Sequence, residues 1–279
     1  MTERLLPEND MTEGLLPDIA ELRRLSARVK VNATNMVSIQ GFGYLGQALS
    51  AGDIFATMFG GGFIRPGHDR FVLSPGHYAV VLYAVAAELG YIEREHLASY
   101  GLDGAVLEAI STERTPFVDI TCGSLGQGLS GAIGLALASR MAGDDRRAYV
   151  FMSDGEMQEG QLWEGAMFAA HHELEGLTVV IDANNSQVDG PVSSITTIEP
   201  VADKWRAFGW CVEEVDGHDI PALVAAFTRP SPSRPKVVVA RTHILGRLRS
   251  IPSTVDGHFI KLDDGLAAAV IAELESDYA

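Results

Sequence analysis

Cysteine, basic residues and long hydrophobic runs are all scarce in this sequence. Its 279 residues include only two cysteines, which excludes a disulfide framework and fits a reducing compartment. No apolar run approaches the roughly 20 residues of a membrane span, and the N-terminus lacks the pattern of a signal peptide. With 21 basic against 37 acidic residues, the net charge of −16 repels phosphate backbones and anionic lipids. We therefore expect an acidic, cytoplasmic, globular protein that binds neither nucleic acid nor membranes.

The N-terminus contains a near-copy of a short unit. The sequence MTERLLPE at residues 1–8 returns as MTEGLLPD at residues 11–18. Two copies are too few for a solenoid of stacked repeats. We interpret residues 1–17 as a flexible leader and residues 18–279 as one domain.

Further along the chain, apolar segments alternate between the periods of helices and strands. Helical periodicity marks residues 18–37, 76–88 and 125–141. Short continuous apolar runs lie at residues 118–121, 148–152, 178–182, 211–215 and 236–240. Such runs, separated by helical stretches, are typical of a parallel sheet that is buried on both faces. The pattern predicts an α/β fold, a doubly wound parallel sheet with helices on both faces.

Two segments match the glycine pattern G-x-G-x-x-G of dinucleotide-binding proteins. The glycines stand at positions 41, 43 and 46, and at positions 126, 128 and 131. The second match follows an apolar run and precedes an Ala-rich helix, so a nicotinamide-dependent dehydrogenase is a real alternative. Against it, these glycines lie several residues beyond the run instead of in a tight strand-to-helix turn. Small residues there would also serve close helix packing, and the pattern alone leaves both interpretations open.

A more specific set of polar residues follows the next two strands. Asp154 stands at the end of the run 148–152, and Asn184 stands at the end of the run 178–182. The 30 positions between them correspond to one helical crossover, so both side chains can converge at one edge of the sheet. A carboxylate, an amide oxygen and a backbone carbonyl form a hard oxygen set that suits Mg²⁺. The amide of Gly155 can approach diphosphate oxygens there without steric conflict.

These residues resemble the thiamine-diphosphate motif of the transketolase family. The motif comprises DGEMQEG at residues 154–160 and, about 30 residues later, Asn184 and Asn185. The resemblance extends over residues 18–262 and includes DRFVLSPGH at 69–77 and TCGSLGQG at 121–128. Four ordered motifs at family-like spacing are specific, and they displace the dehydrogenase interpretation.

The resemblance implies a role for each matching residue of the cofactor site. Asp154 and Asn184 would bind Mg²⁺ through their side chains, and Ser186 would bind it through its backbone carbonyl. Gly155 and Glu156 would contact thiamine diphosphate. The segment that would lie against the rings of the cofactor comprises Gly123, Ser124 and Leu125.

The resemblance also implies three catalytic residues. His77 matches the family's active-site histidine near the diphosphate and the substrate. Glu159 matches a glutamate that links the two halves of the active site. His258 falls near a family histidine that faces the substrate, although the local match is loose. The adjacent His171 and His172 are interpreted as packing or helix-end residues and not as metal ligands.

The sequence departs from the family pattern at two substrate positions. Tyr44 stands where the family has a histidine in a Gly-His-Pro segment, and Ile110 is the approximate equivalent of a second histidine. Both histidines contact the hydroxyl groups of a sugar-phosphate donor. Their loss disfavours a polyhydroxylated donor, so acetyl transfer from pyruvate to a keto-sugar-like acceptor is an alternative. Misalignment of this region is the other explanation.

The chain matches only the diphosphate-binding part of a full-length transketolase. The resemblance therefore implies the N-terminal subunit of a split enzyme, active only with a C-terminal subunit that carries the pyrimidine-binding domain. We expect an α2β2 heterotetramer that transfers a two-carbon ketol or acyl unit to an aldehyde or ketone. A non-catalytic scaffold that retains the cofactor site is a less favoured alternative.

Overall fold

A five-stranded parallel sheet lies at the centre of the fold. The structure, a computed structural model, describes residues 16–115, 118–120 and 122–277. Its strands are β1 Phe42–Gly43, β2 Arg70–Leu73, β3 Ala148–Ser153, β4 Leu177–Ala183, β5 Cys211–Asp216, β6 Lys236–Arg241 and β7 Ile260–Lys261. The large sheet has the order β2-β3-β4-β6-β5, and β1 pairs with β7 in a small antiparallel sheet. The repeated N-terminal unit and most of the predicted leader lie outside the described residues.

Helices connect the parallel strands. They are α1 Ile19–Gln40, α2 Leu45–Phe55, α3 Ala79–Glu88, α4 Gln127–Ala142, α5 Gly160–His171, α6 Val192–Ile195, α7 Val201–Ala207, α8 Ile220–Thr228 and α9 Asp264–Asp277. Short helical turns occur at Gly76–Tyr78, Arg94–Ser99 and Gly155–Gln158, and a π-helical turn occurs at Ala56–Gly60. The three predicted helices therefore exist, and the first begins with the side chain of Asp18 accepting from the amide of Ala20 at 2.8 Å.

The sheet separates two hydrophobic cores. On β3, Tyr149 and Phe151 pack into the core that contains α1, α2 and α3, while Val150 and Met152 pack into the core that contains α4 and α5. This alternation arises because successive side chains of a strand point to opposite faces. Both faces are covered, so the strands are apolar throughout. The predicted doubly wound α/β fold is confirmed.

Helices α2 and α3 are buried around almost their whole circumference. All eleven residues of α2 are buried, and so are nine of the ten residues of α3. A helix of this kind has no solvent-facing side and must pack against protein all round. Part of that cover is α1, whose buried stripe contains Leu22, Leu25 and Val29 at helical spacing. The arrangement holds the N-terminal ends of α2 and α3 at the edge of the sheet where the site lies.

The apolar run at residues 118–121 is not a strand in its described part. The backbone amide of Asp119 donates to the carbonyl of Phe71 at 3.0 Å, and the Asp119 carboxylate accepts from the Phe71 amide at 2.8 Å. The side chain thereby replaces the backbone partner that a paired strand would use. Residues 118–120 therefore cover the edge of β2, and the prediction of a strand there is wrong.

Within the part of the chain that the structure describes, no helix is both long enough and apolar enough to cross a bilayer.

Candidate active site

Asp154 and Asn184 come together at the carboxyl-terminal edge of the sheet, as their spacing predicts. Asp154 follows β3 and Asn184 follows β4, and the two strands pair in register from Ala148 with Leu177 onward. The Asp154 carboxylate accepts from the backbone amides of Gly155 at 2.8 Å and Asn185 at 2.5 Å. These bonds fix the carboxylate between the two loops that a bound diphosphate would contact.

The site carries buried negative charge without a cation of its own. Burial and the neighbouring Asp182 carboxylate raise the pKa of Asp154 to about 7, although backbone amides oppose the rise. Burial also raises the pKa of Asp182. Over the described residues, neither carboxylate is paired with a lysine or an arginine. A divalent cation next to Asp154 would offset this charge, so the chemistry of the donor set fits Mg²⁺.

Asp182 holds the site together, and sequence reasoning did not identify it. Its fully buried carboxylate accepts from Ser50 Oγ at 2.5 Å, from Tyr78 Oη at 2.8 Å and from Asn184 Nδ2 at 2.8 Å, and also from Thr242. Four donors on one carboxylate are an effective way to bury a charge without an ion pair. The only signal in the sequence is an aspartate two positions before Asn184 at the end of an apolar run.

The side-chain oxygen of Asn184 faces the segment that holds Ser186. Asn184 Oδ1 accepts from the amide of Ser186 at 2.9 Å, and no described residue donates to the Ser186 carbonyl. The predicted metal donors are one carboxylate, one side-chain amide oxygen and one backbone carbonyl. Only the carboxylate belongs to an acidic, histidine or cysteine side chain. In keeping with this, the described ranges contain no cluster of three or more His, Cys, Asp or Glu side chains that could bind a metal. A cavity of about 230 Å³ lies beside Asp154 and Asn185.

Glu156 connects the two loops predicted to bind the cofactor. Its fully buried carboxylate accepts from the amide of Gly126 at 2.7 Å and from the hydroxyl of Ser74. Burial raises its pKa to about 7 against the effect of these donors. Because Gly126 directly follows Leu125, Glu156 fixes the segment Gly123–Leu125 next to the end of β3. Both oxygens of Glu156 are engaged by protein donors, so its predicted contact with the cofactor stays a prediction.

The segment predicted to lie against the cofactor rings is at the surface. Gly123 and Ser124 are exposed, and a Cβ added to Gly123 would have open space around it. Glu159 is also exposed, and its Cβ would lie 2.8 Å from a Cβ added to Gly126. Gly126 itself has a φ of +82°, a conformation that favours glycine. Glu159 therefore lies next to Gly126, the residue that directly follows this segment.

The second glycine pattern serves packing instead of dinucleotide binding. Gly126 precedes α4 without a preceding strand, and a Cβ on Gly128 would lie 2.4 Å from the side chain of Ser74. The close approach of α4 to Ser74 explains why small residues are needed there. The tight strand-to-helix turn of a dinucleotide-binding fold is missing from this described region.

His77, His258 and Tyr44 form one aromatic cluster. The rings of His77 and His258 lie 5.2 Å apart between centroids, Tyr44 lies 5.2 Å from His77, and Tyr44 lies 6.0 Å from His258. Burial and the neighbouring His258 lower the pKa of His77 to about 3. Burial also lowers the pKa of His258. Both imidazoles are therefore neutral near pH 7, when each ring has one donor and one acceptor nitrogen.

Ile110 lies next to the segment that carries His77. Its side chain would be 2.7 Å from a Cβ on Gly76, and the amide of Ser111 donates to the Gly76 carbonyl at 2.9 Å. Ile110 is 44% exposed, so its side chain is accessible beside His77. The structure thus brings both predicted substrate residues, Tyr44 and Ile110, close to the predicted catalytic histidine.

His171 and His172 are in contact at the end of α5, where His172 also packs on Phe168, in keeping with a packing role.

Comparison with known proteins identifies the family. Residues 23–264 match the transketolase family, thiamine diphosphate binding domain. The chain belongs to the transketolase family. It is 37% identical over 247 residues to a transketolase family protein, y4mO of Sinorhizobium fredii, covering 85% of this chain and 88% of the relative. It is also 37% identical over 252 residues to the 6-deoxy-6-sulfo-D-fructose transketolase subunit SqwG of a Clostridium species, covering 86% of this chain and 90% of SqwG.

Other relatives of this transketolase-family chain fall into two length classes. One relative in Actinobacillus succinogenes, named as an apulose-4-phosphate transketolase subunit, is 34% identical over 234 residues, with 81% of this chain and 84% of the relative covered. The crystal structure of transketolase from Campylobacter jejuni superposes with a TM-score of 0.81 at 24% identity. That superposition covers 94% of this chain but 43% of the other. The solved structure therefore supports the fold, and the chain spans less than half of it.

Proposed function

We propose that this chain is the diphosphate- and Mg²⁺-binding subunit of a two-component, thiamine-diphosphate-dependent transketolase-like enzyme. The observation that carries the proposal is the convergence of Asp154 and Asn184 around buried, unpaired negative charge at the carboxyl end of the sheet. Membership of the transketolase family, through its thiamine diphosphate binding domain, supports the same cofactor. The enzyme transfers a two-carbon ketol or acyl unit to an aldehyde or ketone acceptor in the cytoplasm.

We expect the cofactor to be held by the residues that the sequence analysis assigns to it. Asp154 and Asn184 would bind Mg²⁺ through side-chain oxygens, Ser186 would bind it through its carbonyl, and Gly155 would contact the diphosphate. When bound, thiamine diphosphate supplies a nucleophilic carbon and an electron sink for cleavage of a carbon–carbon bond next to a carbonyl group. Glu156 keeps the ring-contacting segment in place through its bond to Gly126.

The histidine pair contributes hydrogen bonds to the substrate. His77 and His258 are held as neutral rings in a partly buried cluster, so near pH 7 each can donate a hydrogen bond to one substrate oxygen. Tyr44 packs against both rings and limits the space available to the substrate. The partial burial of this cluster lowers the local dielectric constant, which strengthens these hydrogen bonds.

A partner subunit completes the site. The relatives in Clostridium and Actinobacillus are named as subunits and have nearly the length of this chain, which supports a partner that carries the pyrimidine-binding domain. Exposure of Glu159 and of the segment Gly123–Ser124 leaves a surface for that domain. Met167 and Phe168 on α5 are also exposed apolar side chains. We expect an α2β2 assembly.

A donor other than a ketose phosphate is favoured by the substrate pocket. Tyr44 and Ile110 place aromatic and aliphatic groups beside His77, where a polyhydroxylated donor would need hydrogen-bond partners. Acetyl transfer from pyruvate to a keto-sugar-like acceptor is therefore the second candidate reaction. A non-catalytic scaffold is a weaker candidate, because Asp154, Asn184, Glu159 and His77 are all retained.

Reconstitution tests the proposal. The chain is purified alone and together with the subunit encoded next to it, and thiamine diphosphate is titrated into each by calorimetry with and without Mg²⁺. We expect Mg²⁺-dependent binding and turnover only in the two-chain complex. Turnover by the single chain would contradict the need for a partner, and tight binding without turnover of any donor would favour the scaffold.

A further inference from the structure

Gln47 and His258 are 211 positions apart in sequence and are in contact in the fold. Nε2 of Gln47 lies 3.3 Å from Nδ1 of His258 and donates to the backbone carbonyl of His258 at 3.1 Å. Gln47 is in α2, and its residue is only 1% exposed. A buried amide that contacts both the ring and the backbone of one histidine limits what that histidine can do.

Two glycines allow this contact. A Cβ on Gly46 would lie 1.9 Å from the carbonyl oxygen of Gly257, and a Cβ on Gly257 would lie 2.5 Å from the side chain of Ile244. The loop before β7 therefore approaches the first turn of α2 more closely than any side chain would permit. This approach brings His258 within reach of Gln47.

The backbone carbonyl of His258 determines the orientation of the Gln47 amide. A carbonyl oxygen only accepts hydrogen bonds, so the amide nitrogen of Gln47, and not its oxygen, must face it. The same nitrogen is the atom nearest to Nδ1, and it has two hydrogens to donate. Nδ1 of His258 is therefore the acceptor of the second hydrogen, and in a neutral imidazole the proton is then on Nε2.

This orientation determines the environment of the remaining atom of the Gln47 amide. Oε1 of Gln47 is buried and has no hydrogen-bond partner among the described residues. Native proteins rarely leave a buried polar atom unsatisfied. The reverse orientation would place two oxygens against each other, so the unsatisfied Oε1 is the consequence of a nitrogen that is required at His258.

We propose that Gln47 is a positioning residue that holds His258 as the neutral tautomer with its proton on Nε2. His258 then offers a fixed hydrogen-bond donor to a carbonyl or hydroxyl oxygen of the substrate. The other groups that face His258 are the rings of His77 and Tyr44, and the side chain of Asp256, which accepts from the His258 amide at 2.9 Å. This inference rests on the proposed function, because it takes the substrate to bind at the histidine cluster.

Nitrogen NMR measures the tautomer without any assay of activity. The full chain is labelled with ¹⁵N-histidine, and the His258 signals are assigned by their loss in the variant His258→Gln. In the unchanged chain at neutral pH we expect a protonated Nε2 and an unprotonated Nδ1. In Gln47→Met, which keeps the length of the side chain but has no donor, we expect averaged shifts from two tautomers and a higher pKa of His258.

A matched control and a second variant keep the result interpretable. Gln40 also donates from its amide to a backbone carbonyl, that of Tyr100 at 2.8 Å, and Gln40→Met should leave the His258 signals unchanged. If Gln47→Met does not fold, Gln47→Ala serves in its place. A proton on Nδ1 in the unchanged chain, or the same tautomer with and without Gln47, would overturn the inference.

Kinetics of the two-chain complex connect the tautomer to the substrate. We expect Gln47→Met to lower kcat/KM by about tenfold, the effect of one hydrogen bond, with unchanged affinity for thiamine diphosphate. An altered tautomer together with unchanged kcat/KM would overturn the role toward substrate. Absence of turnover in the unchanged complex, with the NMR result as expected, would instead contradict the proposed function and leave the Gln47 assignment standing.

Discussion

The amide nitrogen of Asn184 donates to the buried carboxylate of Asp182 at 2.8 Å, and this bond decides which atom of Asn184 is free for a metal ion. The hydroxyl of Tyr78 also accepts from this nitrogen at 3.0 Å. Because both partners face Nδ2, the oxygen Oδ1 is directed toward the amide of Ser186. A carbonyl-type oxygen has a second lone pair for Mg²⁺. We therefore expect Asp182 to orient Asn184 as the outer hydrogen-bond partners of metal ligands commonly do.

Replacement of Asp182 tests this orientation. We expect Asp182→Asn to weaken Mg²⁺-dependent binding of thiamine diphosphate by about tenfold or more, because the new amide cannot hold Asn184 Nδ2 as a carboxylate does. Calorimetric titration of the two-chain complex measures the change. Asp203→Asn, on the exposed surface of α7, is the matched control. Equal affinity in both variants would show that Asn184 needs no such support.

Removal of the charge of Asp154 has a larger expected effect. Asp154→Asn keeps one of the two carboxylate oxygens, so it can accept from the amide of Gly155 or from that of Asn185 but not from both. It removes the carboxylate that compensates the metal charge, and we expect a loss of more than about a hundredfold in affinity for thiamine diphosphate with Mg²⁺. The measurement is calorimetry at fixed Mg²⁺, with circular dichroism to confirm folding. Undiminished affinity would refute Asp154 as a metal ligand.

The sheet and the convergence of Asp154 with Asn184 are predictable because they depend on local patterns. Runs at 148–152, 178–182, 211–215 and 236–240 each became strands, since buried parallel strands need continuous apolar sequence. Their carboxyl ends share one edge, which places Asp154 beside Asn184 without further information. The convergence of these strand ends therefore follows from the shared direction of the strands and from their hydrophobicity.

The supporting contacts of the site are not predictable in this way. Gln47 meets His258 only because α2 and a loop more than two hundred residues away pack closely through Gly46. The run at 118–121 has strand-like composition, but the Asp119 carboxylate occupies a position on β2 that a strand would need. Such contacts depend on side-chain geometry across the fold, which composition and periodicity do not contain.

A buried ion pair joins α1 to α2 beneath the site. The carboxylate of Asp53 accepts from Lys30 Nζ at 2.7 Å and from Ser26 Oγ at 2.7 Å, and it lies 2.9 Å from His218 Nδ1. Lys30 and Asp53 are both buried. We expect Asp53→Asn to lower the free energy of unfolding by about 3–5 kcal/mol, because the Lys30 charge loses its counterion. Urea denaturation measures it, and Asp203→Asn should change it little.

The same pair gives the stability a defined dependence on pH. Burial alone raises the pKa of Asp53, but Lys30 and His218 outweigh it and hold that pKa well below its ordinary value. A carboxyl with a lowered pKa contributes its full stability above the unfolded pKa of about 3.9 and loses it as the pH falls further. We expect urea midpoints of Asp53→Asn to fall less steeply below pH ~4 than those of the unchanged chain. Parallel curves would contradict this contribution.

We expect the identity of the donor to depend on two residues beside the histidine cluster. Tyr44 packs 5.2 Å from His77 and 5.1 Å from Phe259, and Ile110 lies beside Gly76. Ile110 has no hydrogen-bonding group, and the only such group of Tyr44 is its hydroxyl, which lies farther from the backbone than the nitrogens of an imidazole. Loss of such a partner changes discrimination by about 1–3 kcal/mol, and two neighbouring losses need not add.

A comparison of donors decides between the two candidate reactions. The two-chain complex receives xylulose 5-phosphate and pyruvate in parallel, with a panel of aldehyde and ketone acceptors, and we expect pyruvate to be preferred. Tyr44→His should raise kcat/KM for the ketose phosphate by about tenfold, since it restores one hydrogen-bonding ring beside His77. Phe42→His is the control, because Phe42 contacts Phe259 at 5.5 Å but is exposed. If the unchanged enzyme uses the ketose phosphate efficiently and ignores pyruvate, Tyr44 and Ile110 do not set the donor, and the hydroxyl groups must be bound by other residues of the complex.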